Sequence, residues 1–152
     1  MQIEVAKAIP NQAGQLTSIA LAAKRDWGYP ERRIEIWTPL LTITPEFIAS
    51  ADVWVAVVED ETAGFYALLY SAERATLEHF WISPRFMGQG VGRGLWDHAL
   101  ARCREKDYAV LEIESDPNAQ GFYEKMGARK VGERTGEVDG QPRVLPIMEI
   151  RV

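Results

Sequence analysis

Four glycines at alternate positions, Gly88, Gly90, Gly92 and Gly94, constrain this chain more than any other feature. Before them, Thr76 to Ile82 reads as a strand, ended by Pro84; after them a helix runs to about Lys106, with Val91, Leu95, Ala99 and Cys103 along one stripe. A loop of this kind is therefore set at the head of a helix. Glycines lack Cβ, so successive N–H groups can converge on one point, and the helix terminus adds partial positive charge; phosphate suits such a cradle. The same glycines would also serve a flexible turn or close packing, so the loop alone does not decide. Two phosphate motifs fail here. There is no Gly-Lys-Ser/Thr ending, and Arg93 stands where a dinucleotide fingerprint has its third glycine.

The strand before the loop belongs to a meander. Val53 to Val58, Gly64 to Tyr70 and Thr76 to Ile82 are apolar or β-branched runs, separated by turns at Glu59-Asp60-Glu61 and Ser71 to Arg74. Val110 to Ile113 follows the helix as a short strand, and the crossover length makes it a parallel neighbour or near-neighbour of the strand at 76–82. Ahead of the meander, Ile3 to Ala8 reads as a strand. Asn11 is expected to cap a helix carrying Leu16, Ile19, Ala20 and Ala23 that stops near Gly28. Pro30 opens a second helix with Ile34 and Trp37, limited by Pro39, and Thr44-Pro45-Glu46 starts a third with Phe47 and Ile48 inward. Near the end, Asp116 caps a helix with Pro117 at its first position and Gly127 as its stop. Ala128 to Glu133 and Val144 to Arg151 are the last strands, joined around Asp139-Gly140. The expected class is α/β in the α+β sense: a mixed, mostly antiparallel sheet of about seven strands with helices on both faces.

At 152 residues the chain suits one domain, 1–152. A formal charge of −5 argues against a general nucleic-acid binder and fits, weakly, a site attracting cations. Cys103 is the single cysteine, so neither an internal disulfide nor a cysteine zinc cluster is expected, and no metal site is read. Apolar runs fall short of the roughly 20 residues of a membrane span, and the first residues lack the basic and apolar regions of a signal peptide. A cytoplasmic protein with no membrane partner is expected.

Leu77, Phe80, Trp81, Ile82 and Pro84, followed by Gly88, Gly90 and Gly92, and then Asn118 with Phe122-Tyr123-Glu124-Lys125-Met126-Gly127-Ala128 about forty residues later, together resemble the GNAT superfamily of acyl-CoA-dependent N-acyltransferases. The likeness is good over roughly 53–131 and looser elsewhere. One departure is Met87, where that family has Arg or Gln; a thioether is only a weak acceptor. The resemblance implies a splayed pair of strands holding the pantetheine arm of acetyl-CoA against the backbone of Phe80, Trp81 and Ile82. It places the pyrophosphate on Met87, Gly88, Gln89, Gly90, Val91, Gly92 and Arg93, with Asn118 and Lys125 completing the cofactor site. Gln89, Arg85 or Arg93 could supply donors in place of the missing side chain.

The implied reaction is direct attack by an amine on the thioester. It needs a neutral amine, donors for the developing oxyanion and a proton for the departing sulfur. Tyr123 matches the family's tyrosine acid; otherwise it packs like Phe122. Glu78 is the preferred base, with His79 beside it, although a β-bulge in this strand would hide which way each faces. Glu78 could equally be a surface glutamate, and Glu112 and Glu114 could instead attract a cationic acceptor. Trp27, Tyr29 and Trp37, with Arg32 and Arg33 nearby, are expected to hold the acceptor, a small molecule or a peptide or protein amine; core packing of the tryptophans is the competing reading. His98 reads as a solvated or partly buried helix residue and Cys103 as a buried hydrophobe. A non-catalytic acyl-CoA-binding module on the same scaffold is the alternative function. The last strands could pair with a second copy as a homodimer.

Overall fold

A computed structural model describes residues 2–152. In chain order the elements are β1 (Ile3–Lys7), α1 (Ala13–Asp26), α2 (Glu31–Leu41), α3 (Pro45–Ser50), β2 (Asp52–Val58), β3 (Glu61–Tyr70), β4 (Ala75–Ile82), α4 (Val91–Glu105), β5 (Val110–Glu114), α5 (Gln120–Lys125), β6 (Arg129–Val138) and β7 (Gln141–Arg151). The strands form one sheet in the order β1-β2-β3-β4-β5-β7-β6. Neighbours are antiparallel except β4 and β5, whose ladder consists of Ala75↔Leu111 and Thr76↔Glu112. Among the described residues, no helix is long and apolar enough to cross a membrane.

Period-two alternation divides the sheet's side chains between two cores. On one face Ala56, Tyr66, Leu68, Leu77 and Leu111 meet Leu95, Trp96, Ala99 and Cys103 of α4 and Tyr123 of α5. On the other, Val53, Val55 and Phe65 meet Leu16 and Ile19 of α1, Ile34 and Trp37 of α2, and Ile48 of α3. Each buried leucine- or isoleucine-sized side chain contributes about 1.5–3 kcal/mol, which is how the amphipathic helices are held.

Local departures from expectation have local causes. Asn11 lies within a 3-10 turn at Pro10–Gln12, and Gln12 stands at the N-cap position of α1 without a side-chain bond to it; its Oε1 instead accepts the Ile9 N–H at 2.9 Å and closes the 3-10 turn. Pro39 does not end α2, which runs on to Leu41. Pro39 is exposed, so water can reach the carbonyl it leaves unpaired, while burial of Leu41 retains the last turn. The final hairpin is longer than expected, pairing down to Val138↔Gln141. Its outer part is largely exposed and polar and so carries little apolar alternation to read. The turn holds Asp139 and Gly140 at φ 50° and 74°, the positive values a tight hairpin turn requires.

Candidate active site

Glu78 sets the geometry of β4. Ala67 pairs with His79 and the next residue, Leu68, pairs with Leu77, so Glu78 is the extra residue of a β-bulge. The slip reverses the alternation. Leu77 and Phe80, three apart, both pack on the α4 face, while His79 and Trp81 turn to the α1–α3 face. A bulge also bends its strand, and beyond Thr76 the ladder from β4 to β5 stops. The β4 edge facing β5 is left open.

A gap follows that open edge. Its narrow end, about 70 Å³, lies between Leu77–Trp81 of β4 and the stretch from Ile113 to Asp116, with Tyr123 and Trp27 also on its walls. It continues into a mostly apolar cavity of about 190 Å³ bounded by Phe80, Trp81, Ile82, Met87, Asn118 and Tyr123. Ile82, Met87 and Phe122 are shared with the next space, a cleft of about 490 Å³ that also takes in Gly88, Gly90, Gly92, Arg93 and Lys125.

The glycine loop forms the wide end. Gly88 and Gly90 have φ of 75° and 87°, and a Cβ on either would meet nothing within 4 Å, so the space above them is open. Among the described residues, no turn or cap carbonyl accepts the amides of Gly88 to Arg93, as expected at a helix start. Gly92 answers a different need: its Cβ would lie 3.2 Å from the Phe122 ring, so the glycine lets α4 approach α5 closely. Val91 is buried and can offer the cleft its backbone N–H alone. Of the proposed replacement donors, Arg85 pairs with Glu61 at 2.8 Å and Gln89 donates to the Arg85 carbonyl at 3.1 Å. Arg93 remains on the cleft wall, loosely paired with Asp97 at 3.8 Å, across from Lys125.

Tyr123 is 6% exposed and packed among Phe80, Trp96 and Phe122. Among the described residues no fully buried polar side-chain atom lacks a partner. Among the described residues no group hydrogen-bonds the Tyr123 hydroxyl, so that oxygen faces the cavities the ring lines. Burial, reinforced by the Asp116 charge, pushes its pKa above the ordinary tyrosine value, which keeps it a proton donor. Glu78 is exposed and lines the narrow end of the gap, as do Glu114 and Asp116. His79 is less suited to be a base: burial pushes its pKa down to about 4, and its Nδ1 already accepts the Trp81 indole N–H at 3.1 Å. Its proton then sits on Nε2, leaving no free lone pair to take another.

The three expected acceptor residues part company. Trp27 lines both the narrow gap and the apolar cavity, 5.9 Å from the Trp81 ring. Trp37 is buried in the α1–α3 core, edge-on to Tyr29, and the Tyr29 hydroxyl is engaged with Asp116, Asn118 and Arg143. Arg32 reaches across to Asp139 at 2.8 Å, tying α2 to the final hairpin. Glu112 pairs with Arg74, and Glu114 pairs with Arg134 at 3.0 Å. His98 Nδ1 and the Tyr66 hydroxyl share a hydrogen bond at 2.7 Å, and burial pushes the Cys103 thiol up to about 11. Sequence reasoning missed Lys24 and Arg143, which meet on Asp116; no local pattern marks them, because they come from α1 and β7.

Residues 42–146 match the family model of the acetyltransferase (GNAT) domain. The chain is 34% identical over 117 residues to the peptidyl-lysine N-acetyltransferase YjaB of Escherichia coli, covering 76% of this chain and 74% of that protein. Among solved structures, a GCN5-related N-acetyltransferase from Rhodopseudomonas palustris superposes with a TM-score of 0.82 at 18% identity, over 100% of this chain and 97% of the other. The PaiA N-acetyltransferase of Thermoplasma acidophilum, in complex with coenzyme A, superposes with a TM-score of 0.78 at 20% identity over the whole of both chains.

Proposed function

This chain belongs to the acetyltransferase (GNAT) family, and we propose that the open edge of β4, the glycine loop and Tyr123 are the parts with which it moves an acetyl group from acetyl-CoA to an amine. The divergence of β4 from β5 carries the reading. Unpaired strand N–H and C=O groups need partners, and an amide-bearing chain laid along Phe80, Trp81 and Ile82 would supply them as an added strand. The residues present fit acetyl-CoA along the whole gap. The apolar cavity suits its pantetheine arm, and the amides of Gly88 to Arg93, with Arg93 and Lys125, suit its diphosphate.

When bound, acetyl-CoA supplies a thioester carbonyl that an amine can attack and a thiol that leaves. This chain's residues then have distinct tasks. The Tyr123 hydroxyl donates a proton toward the departing sulfur, and its raised pKa keeps it protonated at neutral pH. Glu78, at the bulge, takes a proton from the incoming ammonium, directly or through water. Trp27 and Trp81 wall the place where the amine arrives. For the acceptor we read a primary amine on a peptide or protein, supported by the exposed carboxylate of Glu78 at the narrow end and by the naming of the YjaB relatives. Both cores share one sheet, so the chain works as one domain. A non-catalytic acyl-CoA-binding module is not favoured, because the curated relatives are named as acetyltransferases.

The test is release of free thiol from acetyl-CoA with a panel of amines that includes lysine-containing peptides. Turnover by the wild-type chain and its loss in Tyr123→Phe are expected. Unchanged turnover in that variant would remove Tyr123 from the chemistry.

A further inference from the structure

Asp116, on the wall of the narrow end of the gap, gathers five donors. Lys24 Nζ reaches its Oδ2 at 2.6 Å and Arg143 Nη2 reaches the same oxygen at 3.1 Å. The Tyr29 hydroxyl donates at 3.0 Å, the Asn118 backbone N–H at 2.8 Å and the Asn118 side-chain Nδ2 at 3.0 Å. The two cations are held in turn by π-faces: Lys24 Nζ lies 4.3 Å, and the Arg143 guanidinium 4.5 Å, from the Trp37 ring centroid. A buried ion pair of this kind adds little net stability, because desolvation offsets most of the attraction. Its geometric consequence is definite.

Proton counting shows what that consequence is. Tyr29 has one O–H, spent on Asp116, so its oxygen can only accept from Asn118 Nδ2 at 2.9 Å and Arg143 Nη1 at 3.3 Å. Asn118 Nδ2 carries two hydrogens, and Tyr29 and Asp116 take both. Turning the amide over would press Oδ1 against the Asp116 carboxylate. One orientation survives, and in it Oδ1 is left as a pure acceptor on a residue that lines the cavity with Phe80, Trp81 and Tyr123.

We infer that Lys24, Tyr29, Asp116 and Arg143 are positioning residues that lock the Asn118 amide so that its carbonyl oxygen can accept an N–H from the pantetheine arm. The inference rests on reading the cleft as a coenzyme A site. It also gives Tyr29 and Trp37 a task other than contact with the acceptor. Asn118 is exposed on the cavity rim, and an acceptor-only group there selects an N–H over a carbonyl, which sets the register of the arm along β4.

The test is calorimetric titration of wild type, Tyr29→Phe, Asn118→Ala and the double variant with acetyl-CoA, and separately with 3′,5′-ADP, which lacks the arm. Tyr29→Phe keeps the ring and removes the hydroxyl. It should weaken acetyl-CoA about fivefold, the value of one net hydrogen bond, and leave 3′,5′-ADP unchanged. In the Asn118→Ala background the same change should cost nothing further, because the group it positions is gone. Arg143→Met should repeat this pattern and serves if Tyr29→Phe folds poorly. Equal losses in both backgrounds, equal losses for both ligands, or unchanged acetyl-CoA affinity in Tyr29→Phe would each overturn the inference. Wild-type protein that binds neither ligand would instead overturn the coenzyme A reading beneath it.

Discussion

Removing the Tyr123 hydroxyl takes away an atom that holds no partner in the fold, so Tyr123→Phe should cost little stability while lowering kcat about 100-fold. Because burial raises the pKa of Tyr123, its acid form persists past the ordinary tyrosine value near 10. A pH–rate profile should therefore show no fall assignable to Tyr123 below about pH 10; such a fall, absent in Tyr123→Phe, would contradict the raised value. His79 carries the opposite lesson. Its folded pKa of about 4 lies below the unfolded value near 6.5, so the unfolded chain binds the proton first. Its contribution is constant above pH 6.5 and falls away between 6.5 and 4, by at most about 3 kcal/mol. Urea unfolding midpoints measured across that window should decline less steeply in His79→Gln than in wild type.

At the scale of elements, the loop and the bulge do most to shape the site. Met87 lies on both the apolar cavity and the loop cleft, where a cation could reach a diphosphate. Met87→Arg is expected to lower the KM for acetyl-CoA by about three- to tenfold and to steepen its dependence on salt, since each added charge contact is screened. A salt dependence identical to wild type would mean that position 87 does not face the diphosphate. Glycine spacing and the proline stop were readable in the sequence because both act within a few residues. The bulge at Glu78 was not. Its signature is a slip in pairing between β3 and β4, so the shared facing of Leu77 and Phe80 became visible once the partner strand was in place.

The molecule as a whole is a sheet that leaves one interior edge unfilled, and this makes its stability depend on ligand. Acetyl-CoA at about 100 times its Kd should add about 2.7 kcal/mol, which for a chain of this size raises Tm by roughly 5–10 °C. Thermal melts with acetyl-CoA and with free acetate would check this; no shift with acetyl-CoA at that excess would mean that the gap does not take the arm. The network around Asp116 belongs to the same scale. It joins α1, the Tyr29 turn, the end of β5 and β7, and Lys24 and Asp116 are 92 residues apart in the chain.

What the chain's order of residues determined alone is what short-range physics can enforce. Apolar alternation made the strands, the 3.6-residue stripe made α4, and the glycines of 88–94 made the loop at its head; with the segment from Asn118 to Ala128 these were enough to point to the family. Tertiary structure alone decided the point, beyond Thr76, at which β4 leaves β5, the burial of Trp37 away from the cleft and the meeting of Lys24, Tyr29 and Arg143 on Asp116. Each of these depends on contacts between segments far apart in sequence, whose free energy is realised when the sheet and its two helical layers close together.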